Sequence, residues 1–126
     1  MAIPAKLQND IKQFQRLQQE LAALEQQRMQ LEMKLREAVS TLEELKGVPE
    51  DAPIYRPVGG ILVKATGKKE VEDNLNEEKE TLEVRVKGHE RNLAHLRERL
   101  QTMHQELTSA LQAAGVSVDS GGEEAS

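Results

Sequence analysis

Residues 54–66 read Ile-Tyr-Arg-Pro-Val-Gly-Gly-Ile-Leu-Val-Lys-Ala-Thr, and no other stretch constrains the chain as much. Two runs rich in β-forming residues flank a Gly-Gly pair, which is the pattern of a tight β-hairpin. Before it, Ile54, Arg56 and Val58 share one face, with Tyr55 and Pro57 on the other. After it, Ile61, Val63 and Ala65 share a face, with Leu62 and Lys64 opposite. Neither face is cleanly polar. A lone two-stranded hairpin is marginal in water, and its outer edges leave backbone groups unpaired. The chain offers no third strand. One solution is a neighbouring chain whose strands continue the sheet, even to a closed barrel. The other folds the hairpin back over Val39, Val48 and Val71.

The flanking stretches read as long helices. Over residues 4–46, Pro4 suits the first helical turn. Leu7, Phe14, Leu21, Leu35 and Leu42 form one heptad series, interrupted by Arg28. Leu17, Leu24, Leu31, Ala38 and Leu45 form a second, preceded by Ile3 and Asp10. Their three-residue offset puts both on one seam, as a and d positions. The helix is about 60 Å long at 1.5 Å per residue. Each fully buried Leu contributes roughly 1.5–3 kcal/mol, but only under a covering helix. Arg28 either controls register, by pairing with an acidic residue across the seam, or is a tolerated, water-exposed fault. Met29 and Met33 lie off the seam. Lys46 and Gly47 match a helix C-terminus, and Pro49 and Pro53 stiffen the link to the hairpin.

The second helix is expected over residues 68–114, with Gly67 and Glu70 as a weak capping arrangement. Leu75, Leu82, His89, Leu96, Met103 and Ala110 form one series. Lys79, Val86, Leu93, Leu100, Leu107 and Ala114 form the other. Two helices of matched length on one compact connector pair antiparallel. That places Leu7 near Leu107 or Leu111, and Leu42 and Leu45 near Leu75. The fold class is therefore mainly α: a long antiparallel helical hairpin, coiled, with a central two-stranded β-hairpin that joins an intersubunit β-barrel. Residues 1–126 read as a single domain, with 115–126 a disordered tail.

Composition excludes several classes. Aromatic residues are 2% and charged residues 31%, a helix-forming rather than globular mixture. The net charge of −5 mixes 17 basic with 22 acidic residues and shows no basic cluster, so neither nucleic acid nor an RNA-contacting arm is expected. The chain has no cysteine, which removes disulfides and thiolate metal sites. No signal peptide or 18-residue apolar run is read, so a cytoplasmic protein with no membrane partner is expected. His89 is read as a core-edge histidine, with His95 and His104 on the solvent side. No histidines stand at metal-ligand spacing, and Gly59-Gly60 lacks the Lys and Ser or Thr of a phosphate loop. No catalytic residue, cofactor or metal is expected, and the protein is read as not an enzyme.

Residues 54–64, followed by Lys-Lys-Glu-Val-Glu-Asp-Asn-Leu-Asn-Glu-Glu-Lys-Glu-Thr-Leu-Glu-Val-Arg-Val-Lys at 68–87, resemble the β class of prefoldin subunits. The likeness extends over nearly the whole chain as helix, one hairpin, helix; α-class subunits carry two hairpins. The resemblance implies an ATP-independent chaperone that holds unfolded polypeptides at coiled-coil tips and transfers them to a group II chaperonin. It implies a hexamer of two α-class and four β-class subunits built on a β-barrel platform. Ile54, Tyr55, Val58, Ile61, Leu62 and Val63 match the platform strands. Ile3, Leu7, Ile11, Leu107, Ala110 and Leu111 match the client-binding tip, with Ile11 off the strict seam. The competing class is a structural coiled-coil scaffold with one defined protein partner, which would need no barrel-forming strands.

Overall fold

The computed structural model describes residues 3–115. The tail read as disordered lies, beyond Gly115, outside the described residues. In chain order the elements are α1 (Ala5–Leu45), β1 (Tyr55–Val58), β2 (Ile61–Lys64) and α2 (Lys68–Ala113). The chain divides into two compact units, Met1–Gln26 with Arg91–Ser126, and Gln27–Glu90.

In the first unit, segments of α1 and α2 run antiparallel. The Phe14 ring lies 6.1 Å from that of His104, and Arg97 donates to the Glu25 carboxylate further along. Leu17, Leu96 and Leu100 form the core, wrapped by Phe14, Leu21, Leu24 and Met103. Leu93 is the most enclosed side chain, 1% exposed. These are seam positions of the two heptad patterns, and the seam is buried because no other face offers apolar surface to cover.

The second unit repeats this packing. Leu31 meets Leu82 and Val86, with Leu35 beside them. Near the hairpin, Leu45, Ala65 and Val71 form a cluster that Val48, Ile54 and Leu75 complete. The hairpin therefore folds back only at its base, through Ile54 and Ala65. Val48 and Val71 take part, while Val39 stays exposed. Among the described residues no polar side chain is buried, so neither unit carries an unpaired interior charge. Arg28 does not reach across the seam. Its guanidinium donates to Glu32 on its own helix at 3.0 Å, both side chains about a quarter exposed. An i,i+4 pair on one helix stabilises modestly and says nothing about register. Gly88 sits within α2, which continues through it.

The element ends depart from expectation in instructive ways. Gly47 does not take the left-handed conformation of a glycine cap. Instead α1 tightens: Lys46, Gly47 and Val48 donate to the carbonyls of Glu43, Glu44 and Leu45, three residues back. That turn delivers Val48 to the core cluster, and Lys68 Nζ donates to the Val48 carbonyl at 2.8 Å. At the start of α1, Pro4 stands just before the first turn and its carbonyl accepts from the Gln8 N–H. Gly115 does adopt a positive φ, 84°, just past the end of α2.

In the hairpin turn only Gly59 has positive φ, 62°. Positive φ at the first central residue alone is the II′ type, which matches the twist of paired strands. Gly60 needs no glycine, and a Cβ there or at Gly59 would meet nothing within 4 Å. The two glycines thus separate a conformational requirement from a steric one. Gly59→Ala should destabilise the protein by about 1–2 kcal/mol, the penalty of left-handed backbone for an L-residue. Gly60→Ala should be neutral, or stabilising by up to about 1 kcal/mol through the unfolded chain. Urea melts of the two variants beside the parent check this.

Candidate functional site

The hairpin exposes what a fold ordinarily hides. All eight residues of β1 and β2 are exposed, and Ile61 and Leu62 are about two-thirds so. Tyr55, Val58 and Val63 add to the same apolar surface. The strands pair antiparallel as Tyr55 with Lys64, Arg56 with Val63, Pro57 with Leu62 and Val58 with Ile61. At the base the Ala65 N–H donates to the Ile54 carbonyl at 2.8 Å. A groove of about 560 Å³ lies against β1, floored by Leu45, Val71 and Leu75 and edged by Thr41, Asn74 and Glu78. Of the six hairpin residues singled out from sequence, Ile54 belongs to the core cluster; the other five are exposed.

The connection from β2 into α2 fixes the hairpin at its root. The Gly67 carbonyl accepts the first helical bond, from the Val71 N–H. Glu70 reaches back not to Gly67 but to Thr66. Its carboxylate accepts from the Thr66 hydroxyl at 2.8 Å and from the Thr66 N–H at 3.2 Å. This is a capping box displaced by one residue. The hydroxyl bond first, then the backbone bond and the Arg56 charge, holds the Glu70 carboxyl below its ordinary range.

The helix ends in the first unit build a second surface. Leu7, Leu107 and Ala110 line one open groove of about 430 Å³, with Met103 alongside. Its rim is charged: Lys6, Asp10, Arg99 and Glu106. A smaller cleft beside it is lined by Pro4, Leu7, Ala110 and Ala114. Leu7 thus meets Leu107, as the antiparallel pairing requires. Ile3, Ile11 and Leu111 line neither cleft, and all three are half-buried. Leu7 itself is buried, so it supports the groove more than it offers itself. The charged rim and Met103 were not singled out from sequence. Their signal was the antiparallel pairing itself, which brings residues 6–13 opposite 99–110.

Both surfaces can bind; neither is arranged to make or break bonds. Among the described residues no three His, Asp or Glu side chains could hold a metal ion. His89 is half-buried, its Nδ1 3.1 Å from the Arg85 carbonyl oxygen and its Nε2 3.3 Å from the Gln27 side-chain oxygen. His95 and His104 are exposed. Besides Glu70, Glu43 is lowered and Lys46 raised by their mutual hydrogen bond and then their opposite charges. No helix among the described residues is long and apolar enough to cross a membrane.

The chain matches known proteins along most of its length. A family described as "Prefoldin subunit" matches residues 8–114. The prefoldin subunit beta of Archaeoglobus fulgidus is 43% identical over 109 residues, 86% of this chain and 93% of that protein. That of Thermococcus kodakarensis is 38% identical over 109 residues, 86% and 92%. The crystal structure of the prefoldin beta subunit from Thermococcus strain KS-1 superimposes with a TM-score of 0.77 at 36% identity, covering 87% of this chain and 96% of that one.

The lowered Glu70 carboxyl has a signed consequence. The ionised form is the one that caps α2, so its contribution is present above the unfolded carboxyl range and is lost as pH falls through the folded value. Glu70→Ala should therefore be less stable than the parent at pH 7. The gap between them should close in acid, below the ordinary glutamate range of about 4.3. Paired urea melts across that range check the sign; a gap that widens in acid would contradict it.

Proposed function

The chain belongs to the prefoldin family as an archaeal-type β-class subunit, a non-catalytic component of a molecular chaperone, and on that premise we propose how it divides the work between its two surfaces. The hairpin, through Tyr55, Val58, Ile61, Leu62 and Val63 with Ile54 at its root, is the assembly element. It joins strands of neighbouring subunits in an intersubunit β-barrel, in a hexamer of two α-class and four β-class subunits. The helix ends carry the client site: Leu107, Ala110 and Leu111 on α2, with Ile3, Leu7 and Ile11 on or beside α1. Unfolded polypeptides bind there without ATP, in the cytoplasm, and pass to a group II chaperonin.

The observation that carries this reading is the exposure of a whole strand pair. Large apolar side chains held two-thirds in water on a hairpin mark an interaction surface, and unpaired strand edges favour another strand as the occupant. The helix ends suit a different task. An unfolded chain presents apolar segments in no fixed order, and an open groove with a charged rim accepts them weakly without a shaped pocket. Several weak sites in one assembly gain through effective concentration. Release then needs only a larger or denser set of sites on the receiving chaperonin.

Replacing Leu107, Ala110 and Leu111 together by Ser separates the two roles. Suppression of aggregation of a chemically denatured protein should fall several-fold, while the native mass with partner subunits is unchanged. Full suppression by the triple variant would remove the helix ends as the client site. Indifference of the parent assembly to any denatured protein would favour the scaffold instead.

A further inference from the structure

The two open edges of the hairpin are not equivalent. In a two-residue hairpin, Val58 and Ile61 exchange both backbone bonds, and the phase then alternates. The Ala65-to-Ile54 bond, four residues along, confirms that phase. Residues 54, 56 and 58 and residues 61, 63 and 65 therefore aim their backbone groups inward, at each other. Tyr55 and Pro57 on β1, and Leu62 and Lys64 on β2, aim theirs outward. On β2 both outward residues have an N–H and a carbonyl. On β1, Pro57 has no N–H, and neither does Pro53 two residues before Tyr55. Proline is tolerated here because the bond it lacks is not one the hairpin itself makes.

Charge adds direction. Residues 54–66 contain Arg56 and Lys64 and no acidic residue, within a chain of net charge −5. Arg56 lies in the field of Glu70. Lys64 forms no ion pair among the described residues. A second copy pairing along the same β2 edge would bring another Lys64 alongside the first, and like charges near one another across strands are destabilising.

We propose that Pro57 makes the hairpin one-sided: the open edge of β2, through Leu62 and Lys64, forms the full intersubunit ladder, and its occupant is a strand of a non-identical prefoldin subunit bearing a carboxylate against Lys64. The open edge of β1 pairs only through Tyr55 and serves mainly as an apolar face over its groove. Pro57 is thus a specificity-determining residue that blunts growth of the sheet from the other side. The inference rests on the hairpin being the assembly element.

The test uses the full chain mixed with an archaeal α-class prefoldin subunit, read by native mass and titrated affinity. Leu62→Pro removes only an outward donor, and should weaken association at least tenfold while the chain's own melt is preserved. Leu62→Thr keeps the donor and should weaken it less. Lys64→Glu leaves the backbone intact and should also weaken association, which keeps the proposal testable if Leu62→Pro does not fold. Pro57→Thr restores a donor to β1 and should shift the isolated chain toward larger species. Parent-like association of folded Leu62→Pro, or parent-like self-association of Pro57→Thr, overturns the one-sided hairpin. Parent-like association of Lys64→Glu, or a homo-oligomer of the parent as stable as the mixed one, overturns the acidic, non-identical occupant. A variant with Ile61, Leu62 and Val63 all replaced by Ser distinguishes the two levels. If it too assembles normally, the assembly reading itself fails; if it alone does not assemble, only the edge assignment fails.

Discussion

A stripe of apolar residues that occupies two positions in seven cannot be buried by the helix that carries it. Everything else in this chain follows from giving that stripe a cover. In each unit the cover is the other helix, running antiparallel, and the leucines meet along one seam. The packing asks little of sequence beyond spacing, which is why so few aromatic residues suffice. It also leaves the outer faces free for charge. The visible ion pairs, such as Arg28 with Glu32 and Lys69 with Asp73, lie on those faces and are exposed or half-exposed. They favour solubility more than stability.

The hairpin obeys a different rule. Its root is tied down by Ile54 and Ala65 in the core and by the Thr66–Glu70 cap. Its strands receive no cover at all from the described residues. A hairpin held rigidly at the base and left bare beyond it is poorly suited to stability and well suited to recognition, since the ordering entropy of the strands is already spent before a partner arrives. The helix ends reverse this balance. Their side chains are half-covered by one another, so what they offer is shallow and adaptable.

Much of this was legible in the residues. The heptad series named the buried positions almost one for one, from Leu17 to Leu100, because seam burial is a matter of period alone. Pairing of Leu7 with Leu107 and of Leu45 with Leu75 followed from matched helix lengths. Local chemistry at the ends of elements was harder to read. Gly47 carries the composition of a left-handed cap and does not use it, because Val48 is drawn into the core by a tighter turn. Gly67 and Glu70 suggested a cap that is completed by Thr66 instead. Arg28 invited a partner across the seam and took one on its own helix. Each miss arose where two satisfactory local solutions compete and tertiary packing selects between them. The charged rim of the helix-end groove was invisible for a related reason: its members are far apart in sequence and become neighbours only once the helices are aligned.

Tyr55 has one more consequence. The chain contains no tryptophan and a single tyrosine, and that phenol ring stands on β1, half in water. Apart from the faint contribution of Phe14, the protein's near-ultraviolet absorbance and emission come from one ring on the very strands where neighbours are expected to dock. Covering or uncovering that ring changes its polarity and quenching, so joining and parting of subunits are reported by the native chain's own light, with no label attached.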